Sequence, residues 1–252
     1  MEIELKSRCT PGASLNRIEN GWRLNIPAGG GGTYRLAQLD DYATLSRGQF
    51  HHSPPWRLSL HARVSSSNLP GTWGFGLWND PFGFSLGFGG KAGRIPVLPE
   101  TAWFFHASPP NWLSFRDKIP SQGFFAGTVH SPHLPSLFLA PAFLGFPFLA
   151  LRPISRLLRR LAGKTIRQEA AAISIDVTGW HEYSMQWLRD FTEFKIDDTS
   201  ILQTSISPDP PLGLVLWIDN QFAAWTPEGR LSYGTLDNPA AWLDIKAINP
   251  KG

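Results

Sequence analysis

From Trp56 to Val64 the chain alternates without a fault. Trp56, Leu58, Leu60, Ala62 and Val64 fall on one side; Arg57, Ser59, His61 and Arg63 fall on the other. A period of two held over that length belongs to a half-buried antiparallel strand, since a helix repeats its apolar positions at three and four. Such a strand needs partners that bury the same face, and the chain offers many. Ser14–Glu19 and Trp22–Ile26 flank Asn20-Gly21, a pair that accepts the positive φ of a tight hairpin turn. Thr33–Leu39, Thr72–Trp78, Trp112–Arg116, Gly123–His130 and Ala171–Val177 are further short strand candidates. Tyr183, Met185 and Trp187 alternate with Glu182, Ser184 and Gln186, and a turn at Arg189-Asp190 returns the chain through Phe191–Ile196 to a second turn at Asp197-Asp198. Leu212–Ile218 is apolar on both sides, as a central strand is, and Ala241–Ile248 closes the set. With 24 Gly, 22 Pro, 11 Trp and 17% charged residues, the composition favours strands joined by turns, and 252 residues suit one β domain. No repeat of 20–50 residues is present. Gly29 to Gly32 lacks the strand-to-helix setting of a phosphate loop and reads as a tether.

One cysteine, Cys9, excludes an internal disulfide framework, and a free, buried thiol is expected. Met1 to Lys6 is polar and alternating, without the apolar core of a signal peptide, so the expected location is cytoplasmic, with a peripheral position on the inner membrane face as the variant. The net charge of +3 is unevenly placed. Residues 152–167 hold Arg152, Arg156, Arg159, Arg160, Lys164 and Arg167 and no acid, so over the rest of the chain acids outnumber bases.

Trp180-His181-x-Tyr183 with Trp187, Phe191 and the Asp197-Asp198 turn resembles a "Trp-His-x-Tyr … Trp … Asp-Gly" hairpin of family 16 glycoside hydrolases. Ser59–Trp78 resembles that family's strand pair with its "Gly-x-Trp … Trp" element, Phe125–Ser131 its "Gly-Thr-x-His" strand, and Leu212–Trp225 with Trp242–Ile248 its last two strands. The resemblance covers most of residues 55–248 and implies an all-β jelly-roll sandwich of two curved antiparallel sheets, concanavalin A-like, with ligand lying across the concave sheet. It implies a single domain over residues 1–252, interrupted by a partly helical insertion at about 131–168.

Cleavage in that family depends on a Glu-x-Asp-x-(x)-Glu triplet on one concave strand. A retaining mechanism sets its two working carboxyls about 5–5.5 Å apart, and period two puts them on one face. In the corresponding stretch, Glu100–Ala107, Glu100 is the only carboxylate. Two carboxylates cannot be exchanged for Trp and Phe with the chemistry kept, so a working retaining glycosidase is not expected. In their place the groove is expected to present Trp103 and Phe105, or in the other register Phe104 and His106, together with Trp73, Trp78 and Trp217. Aromatic rings on strands usually belong to a core, but a second aromatic layer stacks on sugars or packs against hydrocarbon. Asn79-Asp80 and Asp219-Asn220 are turn formers first and contacts to sugar hydroxyls or Ca²⁺ second, with Asn79 and Asp219 the candidate ligand contacts. His106 and His130 are the candidate acid–base pair should the groove catalyse anything. His51-His52 and His130-x-x-His133 lack partnering acids or thiols at ligand spacing, so no metal and no cofactor are expected.

The insertion carries two signals. Leu134 to Leu151 has no charge, and its length alone would span a bilayer. Pro135, Pro141 and Pro147 break a straight helix, and one crossing would split a single sandwich between two sides of a membrane. The segment therefore dips and returns, or covers the protein itself; Phe138, Phe143, Phe146 and Phe148 are its anchors. After Pro153, Ile154, Leu157, Leu158 and Leu161 form a helical stripe, with Arg156, Arg159, Arg160 and Lys164 expected on the opposite side. Such a helix lies at an anionic lipid surface, or serves as a lid or a homodimer contact. Nucleic acid is not expected, because the basic residues sit in one short helix without interleaved aromatics.

Two functions follow. One is a non-hydrolytic module binding a carbohydrate or apolar small molecule in an aromatic groove, brought to a membrane by its insertion. The other is an enzyme with a repurposed pocket, using His106 or His130 on a lipophilic or glycan substrate.

Overall fold

The computed structural model describes residues 4–81, 94, 97–132 and 151–252. Two antiparallel seven-stranded sheets form its body. The first, sheet A, runs β1 (Lys6–Cys9), β4 (Leu36–Asp40), β13 (Gly213–Asp219), β6 (Thr72–Trp78), β7 (Thr101–Ala107), β8 (Gly123–His130) and β9 (Arg167–Ala172). The second, sheet B, runs β12 (Thr199–Thr204), β11 (Thr192–Ile196), β10 (His181–Trp187), β5 (Trp56–Val64), β16 (Ala241–Lys251), β3 (Gly21–Ile26) and β2 (Ser14–Ile18). A separate hairpin joins β14 (Gln221–Trp225) to β15 (Leu231–Thr235). The described helix is α1, Arg152–Thr165, apart from one short 3₁₀ turn at Arg47–Gln49.

The alternating stretch at Trp56–Val64 sits near the middle of sheet B. β5 pairs with β10 at Trp56↔Trp187, Leu58↔Met185 and Leu60↔Tyr183, which puts every one of these side chains into the interior. From sheet A come Trp73, Phe75, Leu77, Phe104, Phe124 and Leu216. Fully burying one such side chain is worth about 1.5–3 kcal/mol, which makes the apolar layer between the sheets the main source of stability.

Turn chemistry follows the backbone. Asp197 and Asp198 both adopt positive φ, 47° and 62°, between Ile196 and Thr199, as a type I′ hairpin demands. In the β2–β3 hairpin the loop residues are Glu19 and Asn20, one position earlier than the Asn-Gly pair implied, and Asn20 alone is left-handed at 57°. Gly21 is needed for a different reason: a β-carbon there would stand 2.0 Å from the Ile245 carbonyl oxygen of β16.

Three expectations change. Trp112–Arg116 forms no strand, only a single bridge from Trp112 to Ala224. The strand expected from Ala171 starts at Arg167 instead, and Cys9 is exposed. The early start of β9 matters for the insertion, because His130 pairs directly with Arg167. The two sheet residues that flank positions 131–166 are therefore direct neighbours across the β8–β9 pair.

Candidate functional site

The pairing of sheet A decides which rings face outward, away from sheet B. Trp103 lies between Gly76 and Gly127, Phe105 between Gly74 and Phe125, and Trp217 beside Gly74. These residues share one face with Trp78, Thr101 and Ala107. The glycines are sterically required: a β-carbon on Gly74 would come within 2.8 Å of the Trp217 ring, and one on Gly76 within 2.5 Å of the Trp103 α-carbon. The rings form a continuous ladder, with centroids 6.2 Å apart for Trp78–Trp103, 4.9 Å for Trp103–Phe105, 5.3 Å for Phe105–Trp217 and 5.5 Å for Phe105–Phe125.

The register is thus the first of the two expected, and Phe104 and His106 point into the core. His106 stacks on Trp73 at 5.4 Å and its Nε2 faces the Leu69 carbonyl at 3.3 Å. Burial depresses its pKa, partly offset by that carbonyl. Neither Trp73 nor His106 reaches the outer face, which corrects their assignment to the groove: one residue of register separates a groove position from a core position. Phe105 and Trp217 do face outward yet are only 5% and 7% exposed, packed among Tyr42, Phe50 and Phe125. Trp78 and Trp103 are the half-exposed members of the ladder.

The polar candidates are held by the fold. Asp219 accepts the Thr72 hydroxyl at 2.8 Å and the Tyr34 hydroxyl at 3.3 Å, and Trp217 Nε1 donates to that same Thr72 hydroxyl at 3.0 Å. Burial pushes the Asp219 carboxyl up to about 7, with these donors pulling the other way. Asn79 clasps Glu100: its backbone N–H donates to the Glu100 carbonyl, and its Oδ1 accepts the Glu100 N–H at 3.1 Å. A turn residue expected to meet sugar therefore sets the start of β7.

Around Glu100 the structure assembles what no local pattern announces. Glu100 Oε1 accepts the Ser131 N–H at 2.7 Å, and Oε2 accepts the Asp209 N–H at 2.8 Å. His130 Nδ1 stands 3.3 Å from Glu100 Oε2 and 4.0 Å from Asp209 Oδ2. Glu100 is 7% exposed, and burial raises its pKa against the pull of both amides and His130. His130 and Asp209 are partly open to solvent. His130 therefore lies at the strand end beside Glu100, off the aromatic row.

α1 departs from expectation at one arginine. Arg159, placed by its pattern on the solvent side, is 4% exposed; its guanidinium donates to the Trp225 carbonyl at 2.8 Å, the Ser114 carbonyl at 3.0 Å and Asp117 at 2.7 Å. Ser155, one turn earlier, accepts Trp225 Nε1 at 2.9 Å. The helix docks through this polar pair and leaves Ile154, Leu157, Leu158 and Leu161 in solvent, Leu157 56% exposed. Arg156 and Arg160 are exposed beside them. Phe138, Phe143, Phe146, Phe148 and His133 lie outside the described residues. No described helix is long and apolar enough to cross a membrane.

No protein-family model and no curated protein sequence matches the chain. Among solved structures it is similar to a family 16 endo-glucanase from Bacteroides ovatus, with TM-score 0.53 and 10% identity over 100% of this chain and 96% of that one. It is also similar to a legume lectin-like domain from Entamoeba histolytica (TM-score 0.49, 11% identity, 98% of this chain and 88% of that one) and to a glycoside hydrolase family protein from Mycobacterium thermorestibile (TM-score 0.48, 13% identity, 92% and 76%). The glucanase match, end to end on both chains, agrees with the two seven-stranded sheets found here: the chain has the concanavalin A-like, family 16 glucanase-type fold.

Proposed function

We propose that this chain is a non-hydrolytic binding module of glucanase-type fold, which takes a carbohydrate, or an apolar ligand of similar shape, along the aromatic row of sheet A and works at an anionic membrane surface. The observation that carries the reading is β7. Its outward positions are Thr101, Trp103, Phe105 and Ala107, none of them a carboxylate, which supports a groove without the carboxyl pair of a retaining mechanism. Trp103 and Trp78 offer the accessible ring surface for stacking. Titration with soluble β-glucan oligosaccharides, run beside an assay for released reducing ends, tests it. Binding without product, weakened about tenfold in Trp103→Ala, is expected. Product formation that disappears in Glu100→Gln would overturn it.

The membrane half of the reading rests on α1. The described exposed large hydrophobics are Leu151, Ile154, Leu157, Leu158 and Leu161 on or beside this helix, with Leu231 and Tyr233 on the hairpin that packs against it. Arg160 and Lys164, both exposed, lie along one edge of the stripe. An apolar face edged by cations matches an interface of acyl chains and acidic headgroups. Co-sedimentation with phosphatidylserine vesicles is expected to fall with salt, to vanish with neutral vesicles, and to be lost in Leu157→Asp/Leu161→Asp. Self-association of the wild-type chain in sedimentation, with vesicle binding absent, would assign the stripe to a second copy instead.

An enzymatic alternative is favoured by one observation, the contact of His130 with Glu100. His130→Ala is then expected to abolish turnover, whereas His106→Ala acts through folding alone.

A further inference from the structure

We propose that Glu100, His130 and Asp209 form a binding site for one divalent transition-metal ion of the Zn²⁺ or Mn²⁺ class, a role separate from the aromatic row. The three come from the start of β7, the end of β8 and the loop before β13, and each offers one ligand atom, all within 4.8 Å of one another. An ion with bonds of about 2.0–2.2 Å holds its ligand atoms some 3–4 Å apart. His130 Nδ1 already stands 3.3 Å from Glu100 Oε2 and 4.0 Å from Asp209 Oδ2. One imidazole with two carboxylates is a donor set that suits these ions and leaves positions open for water or ligand.

The support around the ligands is in place too. Glu100 is fixed by the Ser131 and Asp209 amides, and its backbone is fixed by Asn79, the outer-shell bonding that orients a ligating carboxylate. His130 and Asp209 keep enough exposure for an ion to enter. An ion seated there would be ligated by His130 through Nδ1, the atom that already faces both carboxylates.

The site stands where β6, β7, β8 and β13 end together and where residues 131–166 leave the sheet. An ion there would tie the base of the insertion to the body of the sandwich.

The test uses the full chain after chelator treatment. Calorimetric titration with ZnCl₂ and MnCl₂ is expected to give one site per chain and an upward shift in melting temperature. Co²⁺ loading should give the visible d–d absorption of a nitrogen- and oxygen-ligated ion. His130→Ala and Asp209→Asn should each lose at least tenfold in affinity with folding intact, while His51→Ala keeps it. Glu100→Gln is the weaker probe, since it also loosens two loops. Absence of a stoichiometric site, or equal affinity in His130→Ala and the wild type, would overturn the assignment.

Discussion

Arg159 Nε donates to the Trp225 carbonyl across 2.8 Å, and with that bond the helix that carries it turns a charged residue inward and its leucines outward. Arg159→Ala strands the Trp225 and Ser114 carbonyls, while Asp117, 64% exposed, returns to water at little cost. A loss of about 2–3 kcal/mol in the docking of α1 is expected. Because the core between the sheets is untouched, the loss should be local. Hydrogen exchange and tryptic cleavage at residues 152–165 should rise several-fold while global unfolding shifts little. Unchanged protection there would show that the helix is held by something else.

The exposed stripe makes the opposite prediction. Leu157→Gln and Leu161→Gln remove large apolar side chains that touch little, so denaturant unfolding should change by less than about 0.5 kcal/mol each. A loss above about 2 kcal/mol would mean that these leucines are covered in solution, by the chain itself or by a second copy.

The reach of the sequence can be judged from these same residues. Period two revealed β5 and β10 because their partners bury one face only, and Asp197-Asp198 gave its turn because few side chains accept two positive φ values in succession. The α1 pattern gave two faces but not which one docks, since an arginine with three acceptors can outcompete a leucine for the inner side. Trp112–Arg116 failed as a strand because Ser114 and Phe115 bond to Gln168 rather than to a ladder. His106 and Trp103 were separated by register alone. Glu100 and His130 could each be singled out in the sequence, but their grouping with Asp209 could not: Asp209 lies 109 positions from Glu100, and only sheet order brings the three together.

The glycines beside the aromatic row should be intolerant of change. Gly76 has φ 152°, and a β-carbon there would lie 2.4 Å from the Ala102 carbonyl oxygen, which is backbone and cannot give way. Gly76→Ala should cost about 2–4 kcal/mol in chemical denaturation. Gly48→Ala, where no atom stands within 4 Å, is the matched control and should leave stability within about 0.5 kcal/mol. Equal effects at the two positions would show that β6 can shift away from β7.

Asp219 gives the fold a pH dependence of definite sign. Its folded-state pKa is raised to about 7 by burial, whereas an unfolded aspartate titrates near ~4. Between those values the unfolded chain has given up the proton and the folded chain still holds it. Stability attributable to this group therefore falls as pH rises from about 4 to about 7 and is level above that. Glu100, also raised by burial, slopes the same way. Replacing Asp219 by Asn removes the titration while keeping an oxygen for the Thr72 hydroxyl. Unfolding free energies measured across that window should then show a flatter slope for Asp219→Asn than for the wild type, even where the variant is less stable at every pH. Parallel curves for the two proteins would place the ionisation elsewhere and return Asp219 to an ordinary, charged state within the fold.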